Sequence, residues 1–225
     1  MQYYPIFVNL ENKDCLVVGA GEVGKRKIES LINSGAGSVT IIDTRPVSPD
    51  LAHVTDLPHV HFESREFRDH DLDGKFLVIA CTSSEKVNWH ISNLCTDLGI
   101  LCNIVDQPEK CSFIVPATVK RGDLTVAIST AGQSPAMAKR IRRELQENFG
   151  DEYAHLLATM GRVRPLMLGL GMETKDNTAV FRALVNSNLL EAMKVRDLDA
   201  AQEILKESLP DPLHANIPEL LDGLI

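Results

Sequence analysis

The 225-residue sequence has only five cysteines, an odd number, and no Cys-x-x-Cys pair. That argues against a disulfide framework and against the usual paired-cysteine zinc site, and it fits a reducing compartment. Cys15, Cys81 and Cys102 sit in or beside apolar runs and read as small buried hydrophobes. No run of about eighteen apolar residues occurs, so no membrane-spanning helix is expected. The opening Met1-Gln2-Tyr3-Tyr4-Pro5 lacks a basic start followed by a long apolar segment. No secretory signal is expected, and the sequence predicts a cytoplasmic protein. Positive charge is also scarce: 23 Lys and Arg face 31 Asp and Glu, for a net charge of −8. A general nucleic-acid binder needs clustered cations and is disfavoured. With 44% apolar and 24% charged residues and no low-complexity tract, the chain is globular and long enough for a sizeable core.

What is present falls into three regions. Over residues 1–112, strand-like and helix-like segments alternate. Cys15-Leu16-Val17-Val18, Val39-Thr40-Ile41-Ile42, Val60-His61-Phe62, Phe76-Leu77-Val78-Ile79-Ala80 and Leu101–Val105 read as buried strands, with helices over 22–34 and 85–98. That rhythm predicts an α/β fold, a Rossmann-type parallel sheet covered on both faces. Residues 113–149 break it. Two β-rich stretches, 113–119 and 124–129, flank Lys120-Arg121-Gly122-Asp123, which reads as a hairpin turn. Ser134 and Pro135 then open a helix as N-cap and first-turn residue. This segment is expected to serve dimerisation. Residues 150–225 read as a helical domain, with amphipathic stretches 152–161, 177–194 and 198–208, the first two separated at Pro165 and Gly169-Leu170-Gly171.

Gly19-Ala20-Gly21-Glu22-Val23-Gly24 fits G-x-G-x-x-G, and it follows a strand and opens a helix, as that motif requires. Gly19 permits the tight turn, Gly21 lets a pyrophosphate approach the backbone, and Gly24 lets helix and strand pack closely. Asp43 ends the next strand at the distance expected of the acid that bonds the adenosine ribose, which favours NAD over NADP; Arg45 beside it weakens that preference. Thr82 and Ser83, after the fourth strand, suit either a cofactor contact or the N-cap of the helix that starts near Glu85. Asp106 ends the fifth strand. There it is placed to handle a proton or approach a divalent metal, or else it is a turn aspartate before Pro108. His53, His59 and His61 cluster in a loop without ligand spacing. The stretch 113–145 is locally basic, with Lys120, Arg121, Lys139, Arg140, Arg142 and Arg143 against Asp123 and Glu144, which points to an anionic ligand.

Several stretches, taken in order, carry a resemblance. They are Tyr4-Pro5-Ile6-Phe7, Gly19 to Lys27, Phe76 to Thr82, Cys102-Asn103-Ile104-Val105-Asp106, Cys111 to Ala117, and Ala127-Ile128-Ser129-Thr130-Ala131-Gly132-Gln133-Ser134-Pro135. Over about residues 3–148 the chain resembles the precorrin-2 dehydrogenase/sirohydrochlorin ferrochelatase family of siroheme synthesis. The helical part is similar only in position and character. The resemblance implies oxidation of precorrin-2 to sirohydrochlorin with NAD as hydride acceptor, and in some members insertion of ferrous iron to give siroheme; ferrous or cobaltous ion is then a candidate further substrate here. It implies that Asp106 is the functional aspartate, that Glu22, Val23 and the pair Asp43-Thr44 or Thr44-Arg45 contact the cofactor, and that Ser129 and Thr130 lie near the substrate. Lys139, Arg140, Arg142 and Arg143 are then candidate contacts for the tetrapyrrole's carboxylates. A homodimer is expected, with no nucleic-acid or membrane partner. Gly24 stands where many members have alanine, and Gln107 follows the aspartate where a second acid is common. No methyltransferase module is expected, since the sequence ends at residue 225, and uroporphyrinogen methylation is therefore not expected either. The competing expectations are a non-catalytic NAD- or tetrapyrrole-binding carrier or sensor, and a chelatase-only protein.

Overall fold

The structure is a computed structural model that describes residues 3–105 and 107–225. It divides into two compact units, Met1–Val115 and Pro116–Ile225.

In the first unit, β1 (Asp14–Val18), β2 (Ser38–Asp43), β3 (Val60–Ser64), β4 (Leu77–Ala80) and β5 (Leu101–Ile104) form one sheet in the order β3-β2-β1-β4-β5. Every pairing is parallel. The central strands are continuous apolar runs because both faces are covered. Side chains alternate across β1, so Cys15 and Val17 join one core, with Ile28 and Leu31 of helix α1 (Glu22–Asn33). Leu16 and Val18 join the opposite core, with Ile91 and Cys95 of helix α3 (Glu85–Leu98). Each such large side chain contributes about 1.5–3 kcal/mol on burial. The short helix α2 (Ala52–Thr55) precedes β3. His53 lies in α2 and His61 in β3, so these residues are not in one loop. The strand order reverses between β1 and β4, and the loops after both strands meet at that edge of the sheet.

The second unit opens with an antiparallel hairpin, β6 (Ala117–Arg121) and β7 (Leu124–Ile128), which turns at Gly122 and Asp123. The expected β-rich stretch 113–116 is not strand. Phe113 instead packs on the core of the first unit, and its carbonyl accepts a hydrogen bond from Asn103 Nδ2 at 3.0 Å. Helix α4 (Pro135–Asn148) starts as expected, the Ser134 hydroxyl accepting the Met137 N–H at 3.2 Å. It is followed by α5 (Glu152–Gly169), α6 (Thr174–Asn186), α7 (Leu189–Val195), α8 (Leu198–Ser208) and α9 (Ile217–Leu221).

Two helix expectations are corrected. Pro165 does not end a helix, because α5 runs through it. Val163 and Met167 on either side of Pro165 are fully buried, and that packing outweighs the one backbone bond the ring removes. The stretch 177–194 is two helices, not one. Ser187 breaks it, its hydroxyl donating to the Leu184 carbonyl and accepting the Leu189 N–H. Arg162 of α5 donates from Nη1 to the carbonyls of Glu219, Leu220 and Asp222 at 2.9–3.1 Å, which satisfies the end of α9.

Candidate functional site

The loop from β1 into α1 forms the floor of the site. Gly19 has φ +100°, a conformation closed to most side chains, and a Cβ there would lie 2.6 Å from the Cys81 carbonyl oxygen. A Cβ on Gly24 would lie 2.1 Å from the Gly19 carbonyl oxygen. The glycines are therefore required by close approach between α1, β1 and the loop after β4. Cys81 seals that contact. Its N–H donates to Val18 O at 2.8 Å and its thiol to Gly19 O at 3.0 Å. Burial pushes the thiol up to about 12, so it stays protonated and acts as a donor rather than a nucleophile.

Gly21 is the N-cap of α1 and brings no side-chain cap, so the first-turn N–H groups, those of Glu22, Val23 and Gly24, are available to an anion. Space above Gly21 is open, the nearest neighbour of an added Cβ being Arg45 Nη2 at 3.7 Å. Glu22 is exposed and pairs with Lys25 at 3.1 Å, and Val23 is partly exposed. The residues thus fit a dinucleotide's pyrophosphate on an uncapped helix start beside an open glycine loop.

Asp43 lies at the end of β2, nearly buried at 8% exposure. Its carboxylate is not free. Oδ2 accepts the Ala20 N–H at 2.6 Å and Arg45 Nη2 at 3.2 Å, while Oδ1 accepts the Arg45 N–H at 2.8 Å and Nε at 3.2 Å. Burial pushes this carboxyl up, but the Arg45 guanidinium and the two backbone N–H groups outweigh it and hold the group below the ordinary carboxylate range. Thr44 is exposed beside it.

The second wall is the loop after β4. Thr82 is tied down by Asn88, itself buried: the hydroxyl donates to Asn88 Oδ1 at 2.7 Å and Asn88 Nδ2 donates to Thr82 O at 3.0 Å. The cap of α3 is Ser84, whose hydroxyl accepts the Val87 N–H, rather than Thr82 or Ser83. The loop after β5 is braced on both sides. Cys111 Sγ contacts the Ile104 N–H at 3.1 Å and the Gln107 carbonyl at 3.2 Å, and Gln107 bonds Trp89 Nε1 and Glu85. Asp106 lies outside the described residues, between Val105 and Gln107.

Sequence reasoning missed two features of this edge. Lys27 is half-buried on α1, and burial pulls its ammonium below the ordinary value. A signal was present: Lys27 follows buried Gly24 by one turn, next to buried Ile28, on the face an amphipathic helix reserves for the core. Asn88 was hidden among polar residues of an otherwise amphipathic helix.

The remaining expected site residues belong to the second unit. Ser129 and Thr130 are engaged locally, Ser129 Oγ accepting the Ala131 N–H and Thr130 Oγ1 accepting the Ser134 N–H. On α4, Arg140 is held by Glu144 at 2.7 Å, Arg142 is partly buried, and Lys139 and Arg143 are exposed with no ion pair among the described residues.

A family model described as "Putative NAD(P)-binding" matches residues 6–117, and one described as "Sirohaem biosynthesis protein central" matches residues 121–148. "Siroheme synthase" of Thioalkalivibrio sulfidiphilus is 34% identical over 209 residues, covering 93% of this chain and 42% of the relative. "Siroheme synthase 1" of Aeromonas salmonicida is 35% identical over 209 residues, covering 93% and 44%. The chain thus spans less than half the length of these curated relatives. Among solved structures, "SirC, precorrin-2 dehydrogenase" shares the fold with a TM-score of 0.73 at 22% identity, over 92% of this chain and 98% of that one. The first unit is of a kind that binds a nicotinamide dinucleotide. Among the described residues no helix is long and apolar enough to cross a membrane.

Proposed function

The chain belongs to the precorrin-2 dehydrogenase/sirohydrochlorin ferrochelatase family of siroheme biosynthesis, and on that premise we propose that it oxidises precorrin-2 to sirohydrochlorin, with NAD in the first instance as hydride acceptor. The observation that carries this reading is the cradle at the β1/β4 switch point. There an uncapped helix start, an open glycine loop and the Asp43 position stand side by side, where parallel α/β sheets bind ligands. When bound, the nicotinamide supplies the hydride acceptor.

The chain's own groups supply the rest. The N–H groups of Glu22 and Val23 bind the pyrophosphate, and the Asp43-Thr44 corner faces the adenosine ribose. Thr82, fixed by Asn88, borders the ring side. Asp106 is assigned to proton handling, because loss of hydride from the macrocycle must be matched by loss of a proton. The braces on Gln107 and Cys111 hold the backbone on its C-terminal side. Lys139, Arg140 and Arg143 offer positive charge to the carboxylates of the tetrapyrrole, which the acidic chain would otherwise repel; Ser129 and Thr130 are assigned to the same substrate. In this reading residues 1–112 bind the cofactor, 113–149 mediate association into a homodimer, 150–225 form a helical domain, and the protein works in the reducing cytoplasm.

The test is anaerobic incubation with precorrin-2 and NAD, following the nicotinamide absorbance and the macrocycle spectrum together. Reduced cofactor should appear with sirohydrochlorin, and ferrous or cobaltous ion added as substrate then tests metallation. Asp106→Asn should lower turnover about 100-fold or more while dinucleotide binding persists. Undiminished turnover by that variant would remove Asp106 from the chemistry. Binding of NAD without any turnover by the wild type would overturn the dehydrogenase reading in favour of a carrier or a chelatase.

A further inference from the structure

A carboxylate that selects NAD must present its oxygens to the ribose hydroxyls, and it must keep a net negative charge facing the place where NADP carries a phosphate. Asp43 meets neither condition. Both oxygens are already filled, by the Ala20 N–H at 2.6 Å, the Arg45 N–H at 2.8 Å, and Arg45 Nε and Nη2 at 3.2 Å. Its charge is paired with a guanidinium at the point where a 2′-phosphate would otherwise be repelled. Arg45 itself is not buried by the pairing; its side chain is 69% exposed. Its Nη2 stands 3.7 Å from the position of a Cβ on Gly21, over the same loop that faces the pyrophosphate. A planar fork with remaining donors, held at the ribose corner and open to solvent, is the geometry suited to a phosphate monoester.

Building on the dinucleotide-cradle reading above, we propose that this cradle also accepts the 2′-phosphorylated dinucleotide, with Arg45 the residue that takes the 2′-phosphate and Asp43 the carboxylate that stations Arg45 at the rim. Asp43 then serves to aim a cation rather than to exclude an anion. NAD binds by displacing one Arg45 contact, and NADP binds by drawing the guanidinium outward while the Ala20 N–H keeps Asp43 in place.

The test is calorimetric titration of the full chain with NAD and with NADP, needing no turnover, for the wild type and for Arg45→Leu. Arg45 is exposed, so the variant is expected to fold, which circular dichroism is to check. The wild type should bind NADP within about tenfold of NAD. Arg45→Leu should weaken NADP by about tenfold or more, the loss typical of a charge-assisted contact, and leave NAD as tight or tighter, because no Arg45 contact then has to be displaced from Asp43. NADP binding more than about 100-fold weaker than NAD in the wild type would overturn the proposal, as would an equal loss of both ligands in the variant, which would place Arg45 on the shared pyrophosphate. Wild-type protein that binds neither dinucleotide would be a different failure, that of the cradle reading itself.

Discussion

Asp71 shows how single side chains hold the first unit together. Its carboxylate is 6% exposed and receives both terminal nitrogens of Arg65, at 2.8 and 2.6 Å, together with the Arg68 N–H at 2.7 Å. Arg65 also bonds Glu63 at 2.7 Å, at the end of β3. Burial pushes Asp71 up, but Arg65 and the Arg68 N–H outweigh burial and hold it below the ordinary carboxylate value. A carboxyl whose value is lower folded than unfolded contributes stability above the unfolded value, near 3.9, and loses it as pH falls through the folded value. Asp71→Asn should therefore cost about 1.5–3 kcal/mol in urea unfolding at neutral pH. The gap from wild type should close once the pH is below the folded value. A gap of constant size across that acid range would show that the carboxylate's charge contributes nothing. The cradle follows the same residue logic, since its working parts are a few positions where a side chain must be absent, filled or turned inward.

At the scale of elements, α5 carries a weakness and a remedy. Pro165 withholds a donor from the carbonyl of Gly161, and Gly161 itself is a poor helix former in mid-helix. A Cβ built on Gly161 meets nothing within 4 Å. Gly161→Ala should thus stabilise the protein by about 0.5–1 kcal/mol, read as a higher midpoint in urea with an unchanged slope. A lower midpoint would mean that α5 needs the backbone freedom of glycine beside the proline.

The same helix shows how much the sequence can reveal. Strands of the sheet were legible because fully buried parallel strands are unbroken apolar runs, as in Leu77–Ala80, and the glycine motif was legible because Gly19 and Gly24 stand where the backbones of α1, β1 and the loop after β4 approach too closely for a side chain. The start of α4 was legible from Ser134-Pro135, whereas for α3 the start near Glu85 was legible but its cap was read as Thr82 or Ser83 and is Ser84. Pro165 misled because tertiary packing of Val163 and Met167 overrides a local breaker, and Ser187 went unseen because a serine that bonds its own backbone looks like any polar residue on a helix face. The closure of Arg45 over Asp43 was only half legible. Two residues that lie near each other in sequence do not reveal whether they face one ligand separately or each other.

At the scale of the whole molecule, the segment 116–148 is built unlike the rest. Within β6 and β7 only Val119 is buried, and α4 has no buried residue at all. Met137 on α4 is 48% exposed, although the helix is amphipathic. An apolar hairpin and helix left this open fit association with a second copy, so sedimentation should show a dimer at micromolar concentration, and Met137→Glu should dissociate it without loss of helical circular dichroism. A wild-type monomer at that concentration would refute the assignment.

The order of the sheet also governs how the cradle comes into being. β1 is the first strand of the chain yet lies at the centre, and Gly19 and the thiol that caps its carbonyl are 62 residues apart in sequence. During synthesis the glycine loop emerges early, and its partner on the other side is missing until β4 and Cys81 have left the ribosome. Closing so distant a contact is entropically slow. The cradle therefore cannot be completed until β4 has been made, well after the motif that announces it.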